Sequence, residues 1–125
     1  MTLHLFLVAL GGACGAMIRF GVSHVAAVAF GRQFPYGTLI VNVVGSCLIG
    51  ILYVMLTERF AGNENWRLLW MVGLLGALTT FSTFSLETVQ LLETGALLRA
   101  VVNVAANVLL CVAGCWLGLV LARQL

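Results

Sequence analysis

Four long apolar runs, parted only by short polar gaps, constrain this sequence more than any other feature it has. They extend over Leu3–Phe30, about Thr38–Leu56, about Leu68–Leu92 and about Leu97–Leu121. A helix of ~20 apolar residues crosses the hydrocarbon core of a bilayer, so each run is long enough to span. Composition agrees: 62% of residues are hydrophobic and 8% charged, against ~45–50% and ~25% in soluble domains. A compact soluble body of this size could not hide so much apolar surface. A soluble enzyme and a disordered chain are excluded. A net charge of +2 offers no basic stripe, so a nucleic-acid binder is excluded as well. The expectation is an all-α membrane protein, a single four-helix transmembrane domain over residues 1–125, multi-pass and not an enzyme. No internal repeat and no nucleotide-binding loop is visible.

The charges are few enough to weigh singly. The six basic residues are all Arg and the four acidic ones all Glu. Four spans place both termini and the widest gap, Glu58–Arg67, on one side, with Arg59, Arg67 and Arg123. The other side carries Arg32 and Arg99. Orientation follows the imbalance of basic residues between short loops, and three against two is almost none. Insertion in both orientations, with antiparallel pairing about a two-fold axis in the membrane plane, is therefore as open as a fixed orientation. Tyr36, Tyr53, Trp66 and Trp70 lie near segment ends, as interfacial aromatics do. The run ending at Cys14 looks like a lipoprotein cleavage site, but Gly11 stands where Leu is wanted, and no cleaved leader is expected. Cys14, Cys47, Cys111 and Cys115 form no CxxC pair. Cys111 and Cys115 share a helix face without a His or carboxylate beside them, so small buried thiols are the reading preferred over a metal pair.

Small residues four apart, Gly11 with Gly15, Ser46 with Gly50 and Gly114 with Gly118, are expected to let helices approach closely in lipid. The third run is unlike the others. From Thr79 to Ser85, five of seven residues carry hydroxyls and the other two are Phe81 and Phe84. Glycines just before, and β-branched Thr within, predict a break near Gly76–Thr80. Unwound backbone at membrane depth survives only where it is buried in protein or lines a polar cavity, where freed carbonyls can hold a cation and N–H groups can face an anion. The alternative is that the hydroxyls bond back to their own helix. Phe81 and Phe84, three apart, would share a face and could turn two positive ring edges towards a small anion, or simply pack. Asn42 could donate to an anion or to another helix, and Asn103 and Asn107 form a second polar stripe with the same two readings. Arg19 and Glu87 lie inside apolar runs. Intramembrane charge is functional by default, so the two are expected to pair or to line wet entrances.

Three motif blocks then stand in order. They are Gly-xx-Gly-xxx-Arg-Phe at Gly12–Phe20, Gly-Thr-Leu-xx-Asn-xx-Gly-Ser at Gly37–Ser46, and Gly-xx-Thr-Thr-Phe-Ser-Thr-Phe-Ser-x-Glu at Gly76–Glu87. With the length and four runs, they make the chain resemble the Fluc, or CrcB, family of fluoride channels over essentially its whole length; the third block is the most specific. The resemblance implies an antiparallel, dual-topology homodimer in a bacterial plasma (inner) membrane that exports cytoplasmic fluoride passively through two pores. It implies a structural Na⁺ at the dimer centre, held by backbone carbonyls of Gly76 and Thr79. It further implies that Phe81 and Phe84 present ring edges to fluoride, with Asn42 as amide donor. Thr38, Ser82 and Glu87 would lie near a pore entrance and Arg19 near an electropositive vestibule. Asn103 and Asn107 depart from the family, which often carries Tyr and then Ser there. The competing reading is a small dual-topology, proton-coupled multidrug transporter, which needs a titratable Glu in its first span; here that span holds only Arg19.

Overall fold

The computed structural model describes residues 1–125, which form helices and turns and no strand. Four helices are long and apolar enough to cross a membrane: Thr2–Phe30, Tyr36–Arg59, Glu64–Glu93 and Leu97–Gln124, here the first to fourth spans. The wide polar gap of the sequence shrinks to residues 60–63, because helix at both edges runs on past the apolar residues. Polar side chains cost nothing once a helix leaves the hydrocarbon. Asn63 caps the third span by accepting from the N–H of Asn65 at 3.1 Å, and Glu64 adds negative charge to its first turn. The third span stops at Gly95, whose φ of 79° suits only glycine. The N–H of Ala96 bonds back to Leu91 O at 2.8 Å and that of Gly95 to Leu92 O at 3.1 Å, which satisfies two of the last carbonyls. Two stretches wind more loosely, as π-helix: Val54–Arg59 at the end of the second span and Leu68–Leu75 in the third.

The spans pack as two close pairs. The first lies along the leading half of the third, residues 64–78, and the second lies along the fourth. Glycine makes both approaches possible. A Cβ on Gly11 would run into the carbonyl oxygen of Leu69, and one on Gly15 into that of Leu74. In the other pair, a Cβ on Gly50 would strike Cys115 O and one on Gly118 would strike Cys47 O. Gly11, Gly15, Gly50 and Gly118 thus serve the contacts their spacing predicts. Gly114 is in ordinary contact only, with 3.6 Å from its would-be Cβ to Val43 O, and Ser46 faces a cavity instead. On the side of the termini, Arg123 makes a two-pronged ion pair with Glu58 at 2.9 and 3.2 Å, and Arg59 donates to Arg123 O at 2.9 Å. These bonds tie the second and fourth spans at their ends.

Val41, Leu75 and Leu78 form a small core where the two pairs meet. Only 20 of 125 residues are buried, and large apolar side chains point outward from all four spans. That is the reverse of a soluble bundle and matches a lipid solvent.

The third span is broken near its midpoint. Thr79 (φ −82°, ψ 155°) and Thr80 (φ −153°, ψ 123°) are extended, and helix resumes as Phe81–Glu93, the trailing half. Gly76 keeps ordinary helical angles (φ −62°, ψ −33°). The glycine freedom expected at the break is therefore not used. The two threonines adopt the β region that their branched side chains favour, and Gly45 makes room for them: a Cβ there would collide with Thr79 Cγ2.

Candidate functional site

Side chains replace the helical bonds that the break removes. In an unbroken helix the N–H of Thr80 would bond to Gly76 O; here it donates to Asn42 Oδ1 at 2.8 Å. The N–H of Thr83 would bond to Thr79 O; here it donates to Thr80 Oγ1 at 3.2 Å, capping the trailing half. The carbonyls deprived of these donors are those of Gly76 and Thr79. Around them the hydroxyls follow both readings open in the sequence. Thr79 Oγ1 bonds back to Leu75 O at 2.9 Å and Ser85 Oγ to Phe81 O at 2.9 Å, while Ser82 Oγ lies 3.4 Å from Thr80 Oγ1.

Asn42, in the second span, reaches the break with its whole amide. Besides accepting from Thr80 N–H, it donates from Nδ2 to Thr80 O at 3.0 Å and to Asn107 Oδ1 at 3.0 Å. Both of its N–H donors are thus committed to protein. Asn107 spends its own two on Asn103 O (2.9 Å) and Asn103 Oδ1 (3.0 Å). Asn103 donates to Thr88 Oγ1 at 3.0 Å, and Thr88 donates to Phe84 O at 2.7 Å. The three asparagines are all buried. Thr88 was missed in the sequence reading: it lies three residues beyond the dense hydroxyl run, and only its distance of one helical turn from Phe84 could have drawn attention to it.

Phe81 and Phe84 touch, with ring centroids 5.3 Å apart and planes at 58°. They are not equivalent: Phe81 is 76% exposed and Phe84 only 7%. Both line a cavity of about 480 Å³ that also meets Asn42, Gly76, Thr79 and Asn107. The trailing half begins at Phe81, so the positive end of its backbone dipole lies at this cavity.

A second cavity of about 460 Å³ opens at the end of the bundle near the Gly31–Pro35 turn. Thr38, Glu87, Arg32 and Arg99 line it, and Thr38 Oγ1 donates to Glu87 Oε1. Arg99 also reaches Gln33 Oε1 at 3.4 Å. Glu87 therefore lines a cavity at the end of the bundle. Arg19 is half-buried in the first span and makes no ion pair with Glu87, so of the two expectations for these charges the pairing is corrected. The first span lies against the leading half of the third, whereas Glu87 belongs to the trailing half.

No cluster of three His, Cys, Asp or Glu side chains is present. The break parts the carbonyls of residues 76 to 79 from their helical donors, and of these residues Gly76 and Thr79 line the cavity. Hard monovalent cations take oxygen ligands, and backbone oxygens of this kind are such donors.

Comparison with known proteins agrees with this geometry. Residues 6–119 match the family described as "CrcB-like protein, Camphor Resistance (CrcB)". The chain belongs to the CrcB family. Among relatives of this CrcB chain, the "Fluoride-specific ion channel FluC" of Methylococcus capsulatus is 55% identical over 125 residues, all of this chain and 55% of that protein. The protein of the same name from Coxiella burnetii is 48% identical over 124 residues, 98% of this chain and the full length of the relative. That of Aeromonas salmonicida is 51% identical over 117 residues, 94% of each chain. The chain thus spans little more than half of the first of these CrcB relatives and all of the second.

Proposed function

We propose that this protein is a fluoride channel of a bacterial plasma membrane, exporting cytoplasmic fluoride passively as an antiparallel homodimer. The observation that carries the reading is the cavity at the broken third span. There Phe81, Phe84 and the start of the trailing half meet at membrane depth, in a chain about half identical to proteins named as fluoride-specific channels. A bare small anion loses its hydration on entering a pore, and fixed partners must replace the water. Ring edges and a helix N-terminus offer weak positive potential. They avoid the tight trapping of an Arg, and conduction needs binding weak enough to leave. Asn42 lends its amide mainly to the protein, since its oxygen and one N–H are engaged at the break and the other N–H goes to Asn107; it serves the ion by holding the cavity's shape. Thr38 and Glu87 line the approach, Ser82 stands beside Thr80 at the break, and Arg19 attracts anions from its side.

No energy source is required. Fluoride enters as neutral HF from acid surroundings and dissociates inside. An inside-negative potential is worth ~2.3 kcal/mol per charge per 100 mV and drives the anion out. Purified protein in liposomes should release fluoride, and should release chloride far more slowly, when a K⁺ gradient sets the potential. Absence of fluoride release sinks the reading.

The same reading places a structural Na⁺ on the dimer axis, held by Gly76 and Thr79 carbonyls from both chains. When bound, it supplies a fixed charge that ties two antiparallel backbones together. Because backbone oxygens are the ligands, Thr79→Ser should keep the site. Anomalous scattering after soaking in a heavier monovalent cation should show density there; density only elsewhere overturns the assignment.

A further inference from the structure

We propose that Asn103, Asn107 and Thr88 are positioning residues: they close a hydrogen-bonded circuit that fastens the trailing half of the third span to the break, with Asn42 as its clasp. The circuit starts and ends on the third span. It runs from the Thr80 backbone to Asn42, then to Asn107, Asn103 and Thr88, and returns to the carbonyl of Phe84. Its direction is fixed at both ends by atoms whose identity is not in question. Thr80 N–H can only donate, so Asn42 must turn Oδ1 towards it and Nδ2 towards Asn107. Asn103 O can only accept, so Asn107 must turn Nδ2 towards it and Oδ1 towards Asn42. An amide flipped anywhere along the line would set donor against donor or acceptor against acceptor among buried groups.

The trailing half needs such a tether. Phe84 is its only buried residue, and it packs mainly against the fourth span, with a lesser contact to the second that includes the Thr38–Glu87 bond. The circuit is what joins it, through the second and fourth spans, to the place where its own helix was interrupted. Asn103 and Thr88 line neither cavity. Their effect on an ion must therefore pass through the circuit members that do line the cavity, Phe84, Asn107 and Asn42.

This inference rests on the fluoride-channel reading for its activity arm, and a second arm is independent of it. In liposomes, Asn103→Leu, Asn107→Leu and Thr88→Val should each lower initial fluoride efflux about 3- to 20-fold, the equivalent of one interhelical hydrogen bond. Thr88→Ser, which keeps the hydroxyl, should conduct normally. Because any one cut opens the circuit, the Asn103→Leu/Asn107→Leu double variant should lose little more than either single variant. Losses that multiply, or a loss confined to Asn107, overturn the proposal and return Asn107 to a contact on the ion's path. The second arm uses the unaltered protein and needs no fluoride. Side-chain amide protons of Asn42 and Asn107 should exchange with deuterated water far more slowly than those of Asn63 and Asn65 in and beside the exposed turn. Exchange at the turn's rate means the circuit is open, and the proposal falls even if the protein conducts. Slow exchange without conduction leaves the circuit standing and removes the channel reading alone.

Discussion

Phe81 and Phe84 have the same side chain and three-residue spacing, yet they stand in different surroundings, and substitution should separate their roles. Phe→Ile keeps an apolar side chain and removes the ring edge. At either position it should cut fluoride efflux by about tenfold or more, since each ~1.4 kcal/mol removed from the stabilisation of the passing ion is a factor of ten in rate. At Phe84, 7% exposed, the smaller shape should also cost about 1–3 kcal/mol of stability, seen as a lower melting temperature in detergent. At Phe81, 76% exposed in the single chain, melting should hardly move. Folded Phe→Ile protein that conducts at the original rate returns both rings to plain packing. The type and spacing of these residues were legible in the sequence, but their inequality was not. It depends on which side of the trailing half the fourth span covers, and that is a tertiary fact.

The break in the third span was legible at the level of the element, because hydroxyl-rich composition at membrane depth has few other uses. Its cause was only half legible. The glycines that drew attention stay helical or serve as contact surfaces, while Thr79 and Thr80 make the turn and Gly45, on another span, gives them room. Asn42 could be read as donor to an ion or to a helix. Nothing in its own run could reveal that both donors go to protein, since its partners lie 38 and 65 residues away. The π-helical stretches were not foreseen either; their residues are ordinary helix formers and carry no local mark. Close helix contact, by contrast, gives a sharp test. Gly15→Ala drives a Cβ into Leu74 O, whereas Gly21→Ala meets nothing within 4 Å. The first should lower thermal stability by about 1–3 kcal/mol, the usual cost of overpacking; the second should leave it unchanged or raise it slightly, because Ala favours helix over Gly. Equal melting of the two variants would mean that the first and third spans do not pack this way.

For the whole molecule, the nearly even spread of Arg between the two ends of the bundle decides what the membrane can do with it. An added Arg at one terminus should bias insertion towards one orientation and, if antiparallel pairing is required, lower total fluoride efflux from cells. Single-loop cysteine labelling should report both faces for the natural sequence; labelling from one side only ends the antiparallel proposal. The clasp between Asn42 and Thr80 also bears on how the chain is made. A third span entering lipid alone has no amide from the second span to take its exposed N–H and C=O groups, and lipid supplies none. Left to itself it would keep the ordinary helical ladder from Glu64 to Glu93. The interruption therefore belongs to a late stage of biogenesis, after the second span has docked and the fourth has brought its asparagines alongside. A nascent chain stalled before Leu97 leaves Asn42 without Asn107, so only the half of the clasp made with Thr80 is there to hold the break.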